Sequence, residues 1–228
     1  MPPRDTAVGK LAGAVYRLQQ NPVPGGLTGI SAEFFDALGR HFTLDKRVIF
    51  ANRWLFNPVL ESILSGSPST DAMLRTTTAP TMLEGSPKDN ILPTRAVATI
   101  NFRIHPRDTV DSIVAHVRDV IEDESIEIVV NREFTSPASP VSDSSGPGYV
   151  AIEESIREAF GSIATVPGLT IAATDARHYA KAADAAYRIN PFQISGDDLT
   201  RFHGIDERLS IENFRAGLNF YAALIGRQ

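Results

Sequence analysis

Arg95-Ala96-Val97-Ala98-Thr99-Ile100-Asn101-Phe102-Arg103-Ile104-His105-Pro106 is the stretch on which the fold turns. Ala96, Ala98, Ile100, Phe102 and Ile104 alternate with Arg95, Val97, Thr99, Asn101 and Arg103. A period of two means a strand that buries the first set and sends Asn101 and Arg103 to the opposite face. Upstream, Leu74-Arg75-Thr76-Thr77-Thr78 is β-branched and extended, and Gly85-Ser86-Pro87-Lys88-Asp89-Asn90 reads as the connection between two antiparallel strands. Downstream, Thr109 is placed to cap a helix with the stripe Val110, Ile113, Val114, Val117 and Ile121. Ile126, Ile128 and Val130 form one more strand.

Before this core, Val8, Leu11, Ala12, Val15 and Leu18 share one helical stripe that stops at Asn21-Pro22. Two further helical stretches run from about Ser31 to Leu38 and from about Lys46 to Leu64. The second is rich in Phe50, Trp54, Leu55, Phe56, Leu60 and Ile63, and its Pro58 is expected to kink or split it. Together they make an apolar helical insert that must pack on something. Helix, two strands, helix, strand is a β-α-β-β-α-β pattern without its first strand, which leaves an open edge or an internal gap in the sheet.

The run from Ser136 to Gly148, rich in Ser, Pro and Gly, is the clearest linker. Beyond it the pattern predicts a helix at about Tyr149 to Phe160, a strand from Leu169 to Ala173 and a short helix from Ala176 to Ala183. A strand from Ala185 to Ile189 and a last helix from Ile211 to Ile225 follow, with Ser210 as cap and Ile211, Phe214, Leu218, Tyr221 and Ile225 as its apolar stripe. Alternating helix and strand points to a partial parallel α/β layer. The fold class is therefore α+β, with a small α/β remainder.

The chain has 228 residues, 43% of them hydrophobic and 21% charged, so a packed core is expected and wholesale disorder is not. With 22 Lys and Arg against 27 Asp and Glu, the net charge of −5 argues against nucleic acid and anionic membrane surfaces as partners. Cysteine is absent, which excludes disulfides, thiolate nucleophiles and thiolate metal sites. No apolar run approaches the ~20 residues that span a bilayer, and Met1-Pro2-Pro3-Arg4-Asp5 lacks the pattern of a secretory leader. A cytoplasmic location is the expectation.

Three patches carry candidate chemistry. In the first, from Lys88 to Pro106, Arg103 is a planar fork suited to a carboxylate, although an ordinary solvated sheet residue reads the same way. Asn90 is by itself normal turn chemistry. In the second, Ala173-Thr174-Asp175-Ala176-Arg177-His178-Tyr179, an apolar run gives way to a polar turn and a helix. Asp175 can cap that helix. Arg177 sits unfavourably at the positive end of the helix dipole, which makes anion binding more plausible for it than for a surface arginine in general. His178 has the chemistry of a ligand, but a partly buried surface histidine is the preferred reading. The third patch is Phe202-His203-Gly204-Ile205-Asp206-Glu207-Arg208-Leu209-Ser210, directly before the last helix. One histidine beside two carboxylates can ligate a metal, but zinc takes three or four protein ligands and the five histidines include no HxH or HxxxH pair.

In this order and at these separations, Met1-Pro2-Pro3-Arg4, Asn101-Phe102-Arg103-Ile104-His105-Pro106, Thr174-Asp175-Ala176-Arg177 and His203-Gly204 with its acidic pair resemble dizinc metallopeptidase family twenty. That family includes aminoacylases, carboxypeptidase S, bacterial glutamate carboxypeptidases and N-acyl amino acid hydrolases, and the carboxypeptidase S and N-acyl amino acid hydrolase branch is the nearest. The resemblance covers nearly the whole chain. It implies a lid, or dimerisation, domain over residues 1–136 and the C-terminal portion of a catalytic domain over 137–228. It further implies that Asn90 and Arg103 hold the substrate from the lid, that Arg177 binds the substrate carboxylate with Asp175 shaping the same turn, and that His203 is a zinc ligand, one of several serving two zinc ions. Homodimerisation through the lid is expected. The family's other ligands, its general-base Glu and a Gly-His-Ser-Ser segment lie upstream of the stretch that corresponds to this chain. The expected function is that of part of a metal-dependent hydrolase for the amide bond of peptides or N-acyl amino acids, inactive alone. A non-catalytic dimerisation or binding module derived from that family is the alternative.

Overall fold

The computed structural model describes residues 3–180, 182–202 and 204–227. The chain divides into two units, Met1–Pro140 and Val141–Gln228.

In the first unit, α1 (Ala7–Gln20) starts where Thr6 Oγ1 accepts the Gly9 N–H at 3.1 Å, and α6 (Val110–Ile121) starts at the reciprocal Thr109/Ser112 capping box. The two helices pack with Ala14, Leu18, Val23, Ile113, Val117 and Ile121 enclosed between them. Ile100 and Phe102 of β2 close this core from the sheet side. Strand β1 (Thr77–Glu84) pairs antiparallel with β2 (Val97–Arg103) from Thr77↔Arg103 to Glu84↔Val97. The register slips between Pro80 and Met82, where proline has no N–H to give the ladder.

The first strand thus lies later than its sequence pattern predicts. Residues up to Leu74 belong to α5 (Pro68–Leu74), which starts on a proline at its first turn and ends with Arg75 bonded to Asp71. The insert consists of α2 (Ile30–Gly39), α3 (Leu44–Ala51), α4 (Arg53–Leu64) and α5, and it packs on itself. Leu27, Phe35, Leu60 and Leu74 form its core, with Phe34, Ile49, Phe50, Phe56 and Leu64 around them. The break expected at Pro58 falls at Asn52 instead, whose side-chain amide donates to Val48 O at 2.8 Å and ends α3. Pro58 is carried inside α4 on its exposed side.

Residues 126–130 form no strand. Their side chains still alternate, and Ile126 and Ile128 pack on the α1–α6 core, but the backbone joins no ladder. A strand is completed by its neighbour's hydrogen bonds, and periodicity alone does not supply one.

The second unit is built on α7 (Pro147–Phe160) packed against α10 (Ile211–Ile225), with the single turns α8 (Ala176–Tyr179) and α9 (Gly196–Leu199) between them. The strands expected at 169–173 and 185–189 are absent among the described residues, and Ile171 is exposed. The run before α7 is tied down: Ser142 Oγ accepts the Ala186 N–H at 2.9 Å and Asp143 O accepts the Tyr187 hydroxyl at 2.6 Å. On α10, capped by Ser210, the apolar stripe from Ile211 to Ile225 faces outward, while Gly217 and Phe220 form the buried side. Gly217 admits the ring of Phe192, from the loop before α9, which a Cβ would meet at 2.3 Å.

The insert is joined to the sheet by a buried polar cluster. Ser31 donates to Met73 O and lies 3.0 Å from His105 Nε2. The Arg107 N–H donates to His105 Nδ1 at 3.2 Å, so Nε2 carries the proton and donates to Ser31 Oγ. Thr76 Oγ1 accepts the His105 N–H at 2.9 Å and donates to Asp108 Oδ2 at 2.6 Å. Burial first, then the Arg107 charge, pushes His105 below its ordinary value of 6.5, against Asp108 and the Met73 carbonyl acting in the other direction.

Two outcomes follow from this packing. Because His105 is held neutral, the unfolded chain binds its proton first. The cluster's stabilisation is therefore present above pH 6.5 and is lost as pH falls through the lower folded value, by up to about 1.4 kcal/mol per pH unit. Urea denaturation at pH 7.5, 6 and 5 should show that slope, and His105→Ala should be less stable at pH 7.5 with the slope reduced. Gly217→Ala should destabilise the second unit by about 1–3 kcal/mol through overpacking, despite a helix-propensity gain of about 1 kcal/mol. In a Phe192→Ala background the sign should reverse, which thermal melts of the four variants will show.

Candidate functional site

Arg103 is the last residue of β2, opposite Thr77, and lies on the exposed side as the alternation requires. His105, two residues on, anchors this end of the strand in the buried cluster. Asn90 is exposed in the connection 85–96, which leaves the ladder at its other end, between Glu84 and Val97. The seven residues of β2 put about 20 Å between that exit and Arg103. The ladder itself therefore does not bring Asn90 and Arg103 together.

In the second unit, Asp175 precedes α8, but its side chain makes no capping bond; only its carbonyl is used, by the His178 N–H at 2.9 Å. Arg177 is exposed, and its Nε–H donates to His178 Nε2 at 3.2 Å. Sequence reading missed Arg188, whose Nε donates to Thr174 Oγ1 at 3.3 Å. A second guanidinium thus reaches the turn that carries Asp175 and Arg177. No local pattern announces it, because the contact links residues 14 positions apart. Each guanidinium is by its chemistry suited to a carboxylate, which accepts two parallel N–H bonds from one arginine.

His203 lies outside the described residues. The loop after it is tightly turned. The Gly204 N–H donates to Arg201 O at 2.9 Å, a Cβ there would come within 3.3 Å of the Thr200 and Arg201 carbonyls, and Asp206 adopts a left-handed φ of 61°. Among the described residues no three His, Asp or Glu side chains gather as metal ligands do. The described residues alone do not fit a zinc ion. Among them, too, no helix is long and apolar enough to cross a membrane.

A family profile described as a peptidase dimerisation domain matches residues 4–129. The N-fatty-acyl-amino acid synthase/hydrolase PM20D1 of Xenopus tropicalis is 38% identical over 227 residues, covering 99% of this chain and 44% of that protein. The probable carboxypeptidase S-like 2 of Dictyostelium discoideum is 39% identical over 225 residues, covering 99% and 43%. The human PM20D1 is 33% identical over 227 residues, covering 98% and 45%. The chain spans less than half the length of these curated relatives. No solved structure gives a significant match. The α+β first unit, the dimerisation-domain match and relatives aligned along nearly the entire chain agree: this chain belongs to the M20 peptidase family, close to its carboxypeptidase S and N-acyl amino acid hydrolase branch.

Proposed function

We propose that this chain supplies the lid, over residues 1–136, and a C-terminal catalytic portion, over 137–228, of a metal-dependent amidohydrolase acting on N-acyl amino acids or peptides with a free carboxylate. In that reading Asn90 and Arg103 hold the substrate from the lid, Arg177 binds its carboxylate with Asp175 shaping the same turn, and His203 is one ligand of a zinc site completed by residues outside these 228. The observation that carries it is the alignment of almost the whole chain with relatives called N-fatty-acyl-amino acid synthase/hydrolase and carboxypeptidase S-like. Arg177 and Arg188 at one polar turn add chemical support, since the planar guanidinium matches a carboxylate's two oxygens. The residues that would polarise the amide and move its proton fall, by the family resemblance, in the half of the relatives that this chain does not span. The chain alone is therefore a binder. A pure dimerisation or binding module is the second reading, favoured by the match of residues 4–129 to a dimerisation domain.

Titration calorimetry with an N-acyl amino acid and its methyl ester tests the grip. The free acid should bind more tightly, and Arg177→Ala should remove that preference, worth roughly ten- to a hundred-fold for a hydrogen bond to a charged group. Equal binding of acid and ester would leave the dimerisation-module reading. Purified chain with added zinc should not release amino acid from an N-acyl amino acid or a dipeptide. Turnover that is abolished both by chelation and by His203→Ala would defeat the proposed inactivity.

A further inference from the structure

Helix α4 has two unlike halves. One half enters the insert's core through Leu60, with Phe56 and Leu64. The other half presents Trp54, Leu55, Pro58, Val59, Ser62 and Ile63, which at about 3.6 residues per turn share one side of the helix. Trp54 is 82% exposed and Ile63 68%, and Leu55 and Val59 are more than half exposed. No charged residue interrupts this side. The two charges of α4 are turned inward: Arg53 meets Asp36 at 2.5 Å and Leu27 O at 3.2 Å, and Glu61 accepts the Leu27 N–H at 2.9 Å.

We propose that this outer side of α4 is the contact through which two copies of the chain pair about a two-fold axis. The proposal rests on reading the first unit as a dimerisation domain and specifies which surface does the pairing. Four observations favour a second copy as the occupant. The face lies inside the matched residues 4–129, whereas the comparably exposed stripe of α10 lies outside them. Leu55, Val59 and Ile63 form a ridge four residues apart, which packs into the grooves of an identical helix at about −50°. The exposed apolar side chains offer on the order of 500 Å² per copy, so a symmetric pair reaches the roughly 1,000 Å² that a specific interface needs. Finally, a helix that lies on lipid carries Lys or Arg along its polar flank, and the one cation of α4 is bonded into the fold.

Because the chain has no cysteine, a single introduced thiol reports the contact cleanly. Sedimentation velocity of the 228-residue chain should show a dimer. Leu55→Glu combined with Val59→Glu should weaken self-association roughly a hundred-fold or more, as charges placed at an interface centre do, with circular dichroism unchanged. Val59→Cys should form a disulfide-linked dimer under mild oxidation, Ser86→Cys should not, and Leu218→Glu on α10 should leave the dimer intact. A dimer that survives the double variant without Val59→Cys cross-linking overturns this interface and leaves the dimerisation reading standing. Loss of the dimer through Leu218→Glu instead also overturns it. A wild-type monomer at all concentrations removes both. Sedimentation of a monomeric chain with phosphatidylcholine or phosphatidylserine vesicles, abolished by the double variant, would give the face to lipid and overturn the pairing.

Discussion

The first unit depends on a buried polar joint. Ser31 of α2, Thr76 before β1 and His105 after β2 are enclosed, and each finds its partners in the others, in Asp108 or in the backbone. An enclosed donor or acceptor without a partner costs about 1–3 kcal/mol, so the cluster is stable only when complete. Arg107 extends it, donating to Pro24 O and Leu74 O at 3.1 Å and to Thr28 Oγ1 at 3.1 Å. Two apolar cores, one between α1 and α6 and one inside the insert, could slide past each other without directional bonds between them. The joint supplies that direction. It also fixes the end of β2, so the substrate-facing role proposed for Arg103 is set two residues away, at His105.

Helices were legible wherever one side is buried and both ends carry their own signals. The Thr109 and Ser210 caps and the stripes of α1 and α6 all appear in the sequence. The failures have physical causes. Residues 126–130, 169–173 and 185–189 have strand-like composition, but a ladder is a property of two segments, and no described segment pairs with them. On α10 the conspicuous stripe of large apolar residues was the wrong face, because the close approach is made by Gly217, which contributes no hydrophobic signal. At Asn52, a side chain bonding back to Val48 O ended a helix that Pro58 was expected to break.

The candidate site was legible in a different way. Arg103 and Arg177 were singled out by residue chemistry, and the ordered set of motifs placed them in a family. Neither route gives geometry. The structure puts Asn90 and Arg103 at the two ends of a ladder and adds Arg188 to the Thr174 turn, both facts of tertiary contact. Family membership is thus carried by order along the chain, whereas the proposed carboxylate grip turns on which guanidinium groups share a turn.

The second unit shows what such a turn requires. Of the buried hydrophobic side chains, only Phe220 belongs to it among the described residues, and α8 buries none. The turn bearing Arg177 is therefore held by hydrogen bonds rather than by packing: backbone bonds such as His178 N–H to Asp175 O, and the side-chain bonds from Arg177 to His178 and from Arg188 to Thr174. An arginine side chain retains about 2 kcal/mol of rotamer entropy until something fixes it. A carboxylate bound there has to order two such side chains at once, which offsets much of a bidentate bond's gain. Any surface that packs against the turn removes part of that cost in advance. The carboxylate binding proposed for Arg177 accordingly depends on whatever orders the turn as well as on the arginine itself.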